Sequence, residues 1–377
     1  MLKIGVIGYG NRIKRITDLL VESGEVELTS VMDIDETAVM EKLGEEKFKN
    51  VKFYTDAEEM LKNEKLDGVC IGTRCNLHTK YALLVAKHNI PMFLEKPVCI
   101  SYDELNQLKT LSHMNEKTVV SFPLRLSDLL THVKSIVDSG RLGEITQVQA
   151  YNNVFYGRGY YHKWYRDDSL TGGLFLQKAT HDLDYINYLL GEIKPVEVCA
   201  MESKQIYKGN KPAGLKCKDC DERDTCPESD INVEKLNDGM PIGEFCCFAT
   251  DVGNQDSGSV IVKYNNGMHV VYSQNFVARK GAGKRGARLI GYNATLEFDW
   301  KKATITVYNH FENITETKTF AETDGHGGGD ELLTADFISV MKGGKSHAPL
   351  SEGILSAEMC LAAKKSAEEH KFVAISD

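Results

Sequence analysis

The first third of the chain alternates short apolar runs with amphipathic segments. Leu2–Ile7 and Val26–Met32 are apolar runs of strand length, and shorter runs follow in this part of the chain. Segments of helical period separate them, and their starts are marked by Asp56, Asn76 and Ser101, the last within a capping box. This alternation predicts a parallel, doubly wound α/β sheet. The shorter runs predicted as strands are Val51–Tyr54, Asp67–Ile71, Pro91–Leu94 and Thr118–Phe122.

After Pro123 the runs become longer and alternate between apolar and polar positions. Gly258–Tyr264 and Met268–Val277 are two such runs, and Asn265-Asn266-Gly267 between them is a hairpin turn signal. They predict an α+β domain with a large, mainly antiparallel, open sheet, so that the domains divide at 1–122 and 123–377. Further strands are predicted at Arg288–Tyr292, Thr295–Asp299 and Thr304–Tyr308, and closing helices at Glu331–Met341 and Glu352–Glu369.

The turn after the first strand, Gly8-Tyr9-Gly10-Asn11-Arg12, has the chemistry of a dinucleotide site. Two glycines at this spacing allow a tight turn and let a pyrophosphate approach a helix N-terminus. Asp33 ends the second strand, and its carboxylate suits a ribose 2′-hydroxyl, which favours NAD over NADP. Ile13 stands at the third glycine position, so the fingerprint is incomplete. A strand-to-helix turn in another kind of α/β protein is the alternative.

Two further segments carry polar groups suited to catalysis. Glu95-Lys96-Pro97 directly follows a predicted strand and puts an ammonium group at the carboxyl edge of the sheet, where open α/β sheets bind ligands. His181 lies in a segment of helical period, on a face that is either an active-site face or simply solvated. On a helical wheel the predicted core stripe is Ala179, Leu183, Ile186 and Leu190, and the opposite face is Gln177, His181, Asp184 and Tyr188.

These features together resemble the Gfo/Idh/MocA family of sugar and cyclitol oxidoreductases. The resemblance rests on the nucleotide segment, on Glu95-Lys96-Pro97, and on Gly172-Gly173 followed by His181-Asp182-Leu183-Asp184, and it covers nearly the whole chain. It implies an NAD-dependent dehydrogenase in which Lys96 and His181 are catalytic and face the nicotinamide and the substrate. The predicted cofactor-binding residues are Gly8, Tyr9, Gly10, Asn11, Arg12, Asp33, Thr73, Asn76, His78, Glu95 and Lys96.

One position departs from that family. Its members commonly place an aspartate four residues before the histidine, where this chain has Gln177. A neutral amide orients an imidazole but does not stabilise its protonated form, so Lys96 could carry more of the proton transfer. The difference keeps open a second class, glycosidases that retain NAD and cleave by transient oxidation and elimination. A third class, non-enzymatic sugar-pathway regulators, is disfavoured because Lys96 and His181 are both retained.

The segment 156–166 combines aromatic and cationic side chains around two glycines. Aromatic faces stack on the C–H patches of a sugar while cations and hydroxyls bond its oxygens. An oligomer contact is an equally good interpretation, since the same residue types are enriched in interfaces. The glycine-rich loop 280–286 either closes over an anionic or polyhydroxylated ligand or is a solvated connection. The residues predicted to bind a sugar or polyol are Tyr156, Arg158, Trp164, Gln177, Lys178 and Asp184.

Three cysteines lie close together in a polar stretch near 208–245 that looks like an insertion. Cys217, Cys220 and Cys226, with Cys246 or Cys247 as a fourth thiol, predict a structural zinc site or an iron–sulfur cluster. No second Cys-x-x-Cys pair is present, and unliganded thiols in a surface loop are the alternative.

Composition narrows the class of protein. The 377 residues, 42% of them hydrophobic, suffice for two cores. A net charge of −9 disfavours nucleic acid and anionic membranes as partners. Only seven residues precede Gly8, too few for a secretory apolar region, and no apolar run reaches membrane-spanning length. We therefore expect a cytoplasmic protein with mostly free thiols. An antiparallel sheet with one face free of helices needs a partner, which predicts a homodimer or tetramer.

Overall fold

The structure is a computed structural model that describes residues 1–236, 242–321 and 326–376. The chain divides into two compact units. The N-terminal unit comprises 1–131, 183–188 and 322–358, and the C-terminal unit comprises 132–182, 189–321 and 359–377. The chain therefore returns to the N-terminal unit twice after first leaving it, and the domain boundary at residue 122 stays a prediction.

A parallel sheet forms the core of the N-terminal unit. Its strands among the described residues are β1 Leu2–Ile7, β2 Val26–Met32, β3 Lys52–Tyr54, β4 Gly68–Ile71, β5 Met92–Leu94 and β6 Thr118–Val120. They run in the order β3-β2-β1-β4-β5-β6, and every pair is parallel. The predicted doubly wound sheet is confirmed, and it brings the carboxyl ends of β1, β4 and β5 side by side, where such sheets bind nucleotides.

A second, larger sheet forms the core of the C-terminal unit. Its strands among the described residues are β7 Ile145–Asn153, β8 Pro195–Ser203, β9 Ser257–Tyr264, β10 His269–Asn275, β11 Lys284–Gly291, β12 Ala294–Asp299, β13 Thr304–Asn309, β14 Thr315–Thr319 and β15 Val373–Ala374. The order is β14-β13-β12-β11-β7-β10-β9-β8-β15, and only β7 and β10 pair in parallel. The mainly antiparallel sheet is thus confirmed. Alternate residues of β9 are buried and solvent-facing, as expected for a sheet with one covered face.

The helices surround these sheets. They are α1 Asn11–Glu22, α2 Glu36–Leu43, α3 Glu45–Phe48, α4 Ala57–Asn63, α5 His78–Lys87, α6 Tyr102–Lys109, α7 Asp128–Asp138, α8 Gly159–His162, α9 Asp168–Thr171, α10 Thr180–Leu190, α11 Asp230–Leu236, α12 Gly329–Met341 and α13 Leu350–Glu369. Asp56 and Ser101 cap α4 and α6 as predicted, whereas Asn76 lies in a short 3-10 turn before α5. Within the described ranges, no helix combines the length and apolarity needed to cross a bilayer.

Candidate active site

The turn between β1 and α1 is shaped by its two glycines. Gly8 has a φ of +81°, and a Cβ atom there would lie 2.6 to 2.9 Å from atoms of Thr73. Gly10 caps α1 in an extended conformation without a side-chain hydrogen bond to the helix. The first amides of α1, which begins at Asn11, are therefore left for an anion such as a pyrophosphate.

The missing third glycine has a structural counterpart directly after another strand. Gly72 follows β4, and a Cβ atom there would lie only 2.4 Å from Cβ of Ile13. The close helix-to-strand approach that the third glycine of the fingerprint provides is thus obtained by pairing Ile13 with Gly72. Local sequence reasoning missed Gly72, because its role depends on a contact between distant segments.

Asp33 is held at the carboxyl end of β2 by backbone amides. Its Oδ2 accepts a hydrogen bond from the Tyr9 amide at 2.7 Å, and its Oδ1 accepts one from the Ile34 amide at 2.7 Å. The Tyr9 side chain is buried, so that residue meets the site through its backbone. Lys42, which sequence reasoning did not single out, donates to the Tyr9 carbonyl at 2.8 Å. Asp33 is therefore a fixed carboxylate beside the glycine turn.

Glu95 is anchored on both its backbone and its side chain. Its amide donates to the Ile71 carbonyl at 3.1 Å, and its carboxylate accepts from Arg12 Nε at 3.2 Å. The Arg12 guanidinium also donates to both oxygens of Asp330 at 2.7 Å each. Burial opposes the charge on Asp330, but hydrogen bonds from His326 and Arg12 outweigh it and lower its pKa. Arg12 therefore positions Glu95, and half-buried Lys96 follows this fixed residue directly.

His78 ties together two loops at the same sheet edge. One ring nitrogen lies 2.7 Å from the Pro97 carbonyl and the other 3.1 Å from the Thr73 carbonyl. Burial lowers the pKa of His78, which favours its neutral form. Asn76 lies two residues before His78 in the chain. Its Oδ1 is buried, and no described group donates a hydrogen bond to it. An unsatisfied buried acceptor calls for a donor, which a bound nucleotide can supply.

The segment carrying His181 is buried on all sides. A wide π-helical turn, Phe175–Ala179, leads into α10, and Gln177, His181 and Asp184 are only 3%, 7% and 1% exposed. The prediction of one core stripe opposite a polar face is therefore wrong, because both faces of this helix are packed. A polar residue in such a helix needs a specific partner.

Asp184 has such a partner within the N-terminal unit. It accepts hydrogen bonds from Nε and Nη2 of Arg125, the former at 3.1 Å. Burial raises the pKa of Asp184 to about 7, and the neighbouring Glu352 adds to the rise while Arg125 opposes it. This ion pair accounts for the burial of Asp184 without requiring a sugar.

Asp182, the residue after His181, anchors the start of α10 to the large sheet. Its carboxylate accepts hydrogen bonds from Asn152 and from the Tyr272 hydroxyl at 2.9 Å each, and from Arg285 Nε at 2.7 Å. These partners lie on β7, β10 and β11, so three strands fix the backbone next to His181. The sequence indicates Asp182 only as part of the His181-Asp182-Leu183-Asp184 motif, because its three partners lie far from it in the chain.

The structure brings some of the predicted sugar-binding residues together. Lys178 Nζ donates to the Tyr156 hydroxyl at 2.7 Å and lies 5.0 Å from the ring centroid of Tyr160. Gln177 Nε2 approaches the Thr171 carbonyl at 3.5 Å. Trp164 stacks on a neighbouring tyrosine, with ring centroids 4.0 Å apart.

A small cavity of about 20 Å³ is lined by the four cysteines predicted as metal ligands. They are Cys217, Cys220, Cys226 and Cys246, and like the other cysteines they carry free thiols. The donor set suits zinc, yet no group of histidine, cysteine, aspartate or glutamate in the described ranges is arranged to hold a metal ion. The zinc prediction is therefore not supported.

Two family models match the chain. Residues 2–122 match the oxidoreductase family with an NAD-binding Rossmann fold, and residues 130–297 match the GFO/IDH/MocA C-terminal domain. The protein YteT of Bacillus subtilis (strain 168) is 26% identical over 355 residues, which cover 84% of this chain and 83% of YteT. Myo-inositol 2-dehydrogenase of Thermotoga maritima is 24% identical over 206 residues, which cover 51% of this chain and 55% of that protein.

Solved structures show the same fold. Levoglucosan dehydrogenase in complex with NADH and L-sorbose superposes with a TM-score of 0.79 and 17% identity, covering 100% of this chain and 99% of that one. Myo-inositol 2-dehydrogenase from Lactobacillus plantarum superposes with a TM-score of 0.72 and 19% identity, with coverage of 100% and 99%. With the glycine turn, the anchored Glu95-Lys96-Pro97 segment and both family models in agreement, the chain belongs to the GFO/IDH/MocA family of oxidoreductases.

Proposed function

We propose that the chain is an NAD-dependent dehydrogenase that transfers hydride between the nicotinamide and a secondary hydroxyl of a sugar, sugar derivative or cyclitol. The observation that carries the proposal is the β1 turn, in which Gly10 leaves the α1 amides uncapped beside the fixed Asp33 carboxylate. The buried, unsatisfied Asn76 Oδ1 supports a nucleotide at the same sheet edge. Relatives named for myo-inositol and levoglucosan support a polyol or sugar substrate.

Bound NAD supplies the hydride acceptor. Of the chain's own groups, His181 is the proposed acceptor of the substrate hydroxyl proton, and the Lys96 ammonium stabilises negative charge on the same oxygen. Asp182 positions His181 through its contacts to three strands, and Glu95 positions Lys96 through its contact with Arg12. Each of the two reacting groups is thus adjacent in the chain to a residue that is fixed by hydrogen bonds, as a preorganised site requires.

We also propose that the chain forms a homodimer or tetramer. The solvent-facing side of β9 includes Ile261, and other large apolar residues such as Met201 and Tyr292 are also exposed in the C-terminal unit. An open sheet face with exposed apolar residues supports pairing with a second copy.

The test is NADH formation, followed at 340 nm, with purified protein, NAD and a panel of sugars and cyclitols. Lys96→Met should lower kcat about a hundredfold or more, because a positioned charge is removed from the reacting oxygen. Lys87→Met, an exposed lysine of the same unit, is the matched control and should keep full activity. Glycoside cleavage without net NADH would identify the glycosidase class instead, and ligand binding without any turnover would identify a regulator.

A further inference from the structure

A cavity of about 270 Å³ lies in the C-terminal unit between the aromatic segment after β7 and the glycine-rich loop before β11. We call it the basic pocket. It is lined by Phe155, Tyr156, Arg158, Arg279 and Lys280, among others. Its volume is just below the range of about 300 to 1,000 Å³ typical of small-molecule sites, which suits a single sugar unit.

The lining of the basic pocket is cationic in a chain whose net charge is −9. Arg158, Arg279 and Lys280 contribute positive charges, and none of the described lining residues is acidic. One carboxylate, that of Glu228, lies 2.9 Å from Arg158 and 3.6 Å from Arg279. Because Glu228 is shared by two guanidinium groups and no described carboxylate pairs with Lys280, positive charge remains in excess.

Arg279 is fixed in place before any ligand arrives. Its Nη1 donates to the Phe276 carbonyl at 2.7 Å, and its Nη2 donates to the Tyr207 hydroxyl at 2.5 Å. Its Nε is buried, and no described residue accepts a hydrogen bond from it. A guanidinium that is held rigidly in the pocket lining presents a fixed positive charge to an anionic oxygen.

Lys280 is held in a conformation that favours glycine. Its φ is +48°, which lies in the left-handed region, and the glycine of this part of the loop is the next residue, Gly281. Such backbone strain at a residue without glycine's freedom is concentrated at ligand sites. Lys280 lines the basic pocket together with the exposed aromatic rings of Phe155 and Tyr156.

The aromatic rings link the basic pocket to the segment that carries His181. Phe155 and Tyr156 are 48% and 51% exposed, which is unusual for large aromatic side chains and suits stacking on sugar C–H groups. The Tyr156 hydroxyl accepts a hydrogen bond from Lys178, one helical turn before His181. Within the C-terminal unit, Tyr156 therefore connects the basic pocket to the helical turn that precedes His181.

We propose that the substrate is an acidic sugar, one that carries a carboxylate or a phosphate, and that the basic pocket binds its anionic group. This inference rests on the proposed dehydrogenase function and specifies its substrate class. Arg158, Arg279 and Lys280 bind the anionic oxygens, and Phe155 and Tyr156 contact the ring. Phosphate and carboxylate share this recognition chemistry, so the experiment separates them.

The experiment measures binding to the NAD-loaded protein by calorimetry, with galactose, galacturonate, glucose, glucuronate and glucose 6-phosphate as probes. At least one acidic sugar should bind tenfold or more tightly than its neutral counterpart, and added salt should reduce the difference. Arg279→Gln and Lys280→Gln should each remove most of this preference for the acidic sugar. Arg141→Gln is the matched control, since Arg141 pairs with Glu316 elsewhere in the same unit, and it should leave the preference intact.

The outcomes separate this inference from the proposed function. Preference for a uronate or for the phosphate ester supports the pocket and identifies its anion. Equal binding of neutral and acidic sugars, or a preference that survives both pocket substitutions, would overturn it. Lys280 is exposed, so its variant tests the inference even if Arg279→Gln destabilises the fold. NADH formation from a neutral sugar without charge preference contradicts only the pocket, whereas charge-dependent binding without NADH formation from any probe contradicts only the dehydrogenase.

Discussion

Replacing Gly10 by alanine should weaken NAD binding while leaving the stability of the fold almost unchanged. Gly10 has φ −74° and ψ 170°, which any residue adopts, and a Cβ atom there would meet only the Gly72 carbonyl at an ordinary 3.6 Å. Alanine is a poorer helix cap than glycine, so the free energy of unfolding should fall by no more than about 1 kcal/mol. The added methyl group would instead occupy the space through which a pyrophosphate approaches α1. We expect NAD affinity to fall at least tenfold, or about 1.4 kcal/mol.

The two neighbouring glycines provide the contrast. Gly8→Ala forces a left-handed conformation on alanine, which costs about 1 to 2 kcal/mol, and adds a clash with Thr73. Gly72→Ala places a methyl group 2.4 Å from Cβ of Ile13, and such overpacking costs about 1 to 3 kcal/mol. Both should therefore lower stability. Urea unfolding measures stability, and calorimetric titration with NAD measures affinity. If Gly10→Ala kept both its stability and its NAD affinity, the nucleotide would not lie against this turn.

Three further predictions concern the cofactor, pH stability and the catalytic base. NAD should bind more tightly than NADP, because the Asp33 carboxylate repels a 2′-phosphate. Asp33→Ser should reduce this difference in affinity. Tighter binding of NADP than of NAD to the native chain would contradict a role of Asp33 at the ribose 2′-hydroxyl. Burial lowers the pKa of His162 from 6.5 to about 4. As the pH falls from 6.5 to 4, His162 is therefore protonated in the unfolded chain but not in the folded protein, and the free energy of unfolding should fall by about 3 kcal/mol. Urea unfolding at pH 7, 5.5 and 4.5 should show that the free energy of unfolding falls less with decreasing pH in His162→Gln than in the native protein. An equal decrease in both proteins would mean that other groups cause the loss of stability in acid. His181→Asn should retain NAD binding but lose most turnover together with the acidic limb of the pH–rate profile, and Gln177→Asp should move that limb to higher pH; a limb that survives in His181→Asn would make another group the base.

Local sequence patterns were enough to predict the two sheets. Each β strand of the N-terminal sheet is a short apolar run bounded by turn residues, and Asn265-Asn266-Gly267 joins β9 to β10 as predicted. These signals are local because strand period and turn chemistry depend on neighbouring residues. The position of Lys96 after β5 follows from the same pattern. Fold class and the nucleotide turn could therefore be predicted from the sequence.

Contacts between distant segments could not be predicted in this way. The pairing of Ile13 with Gly72 and the contact of Arg12 with Asp330 join residues far apart in the chain. The burial of α10 on all sides has the same origin, because a helical wheel shows periodicity and not what packs on each face. Cysteine spacing likewise predicted that the thiols lie close together, but side-chain orientation decides whether they bind a metal.

The return of the chain to the N-terminal unit has a consequence for biosynthesis. In that unit α12 packs so closely that a Cβ atom at Gly68 would lie 2.5 Å from the Met341 sulfur, and Phe337 contacts Phe93 of β5. At about 5 to 20 residues per second, a ribosome needs roughly 10 to 45 s to proceed from residue 122 to the end of α12. During that time the nascent nucleotide-binding sheet exposes the apolar surface that α12 later covers. A fragment ending at residue 122 would keep this surface exposed permanently and is expected to aggregate.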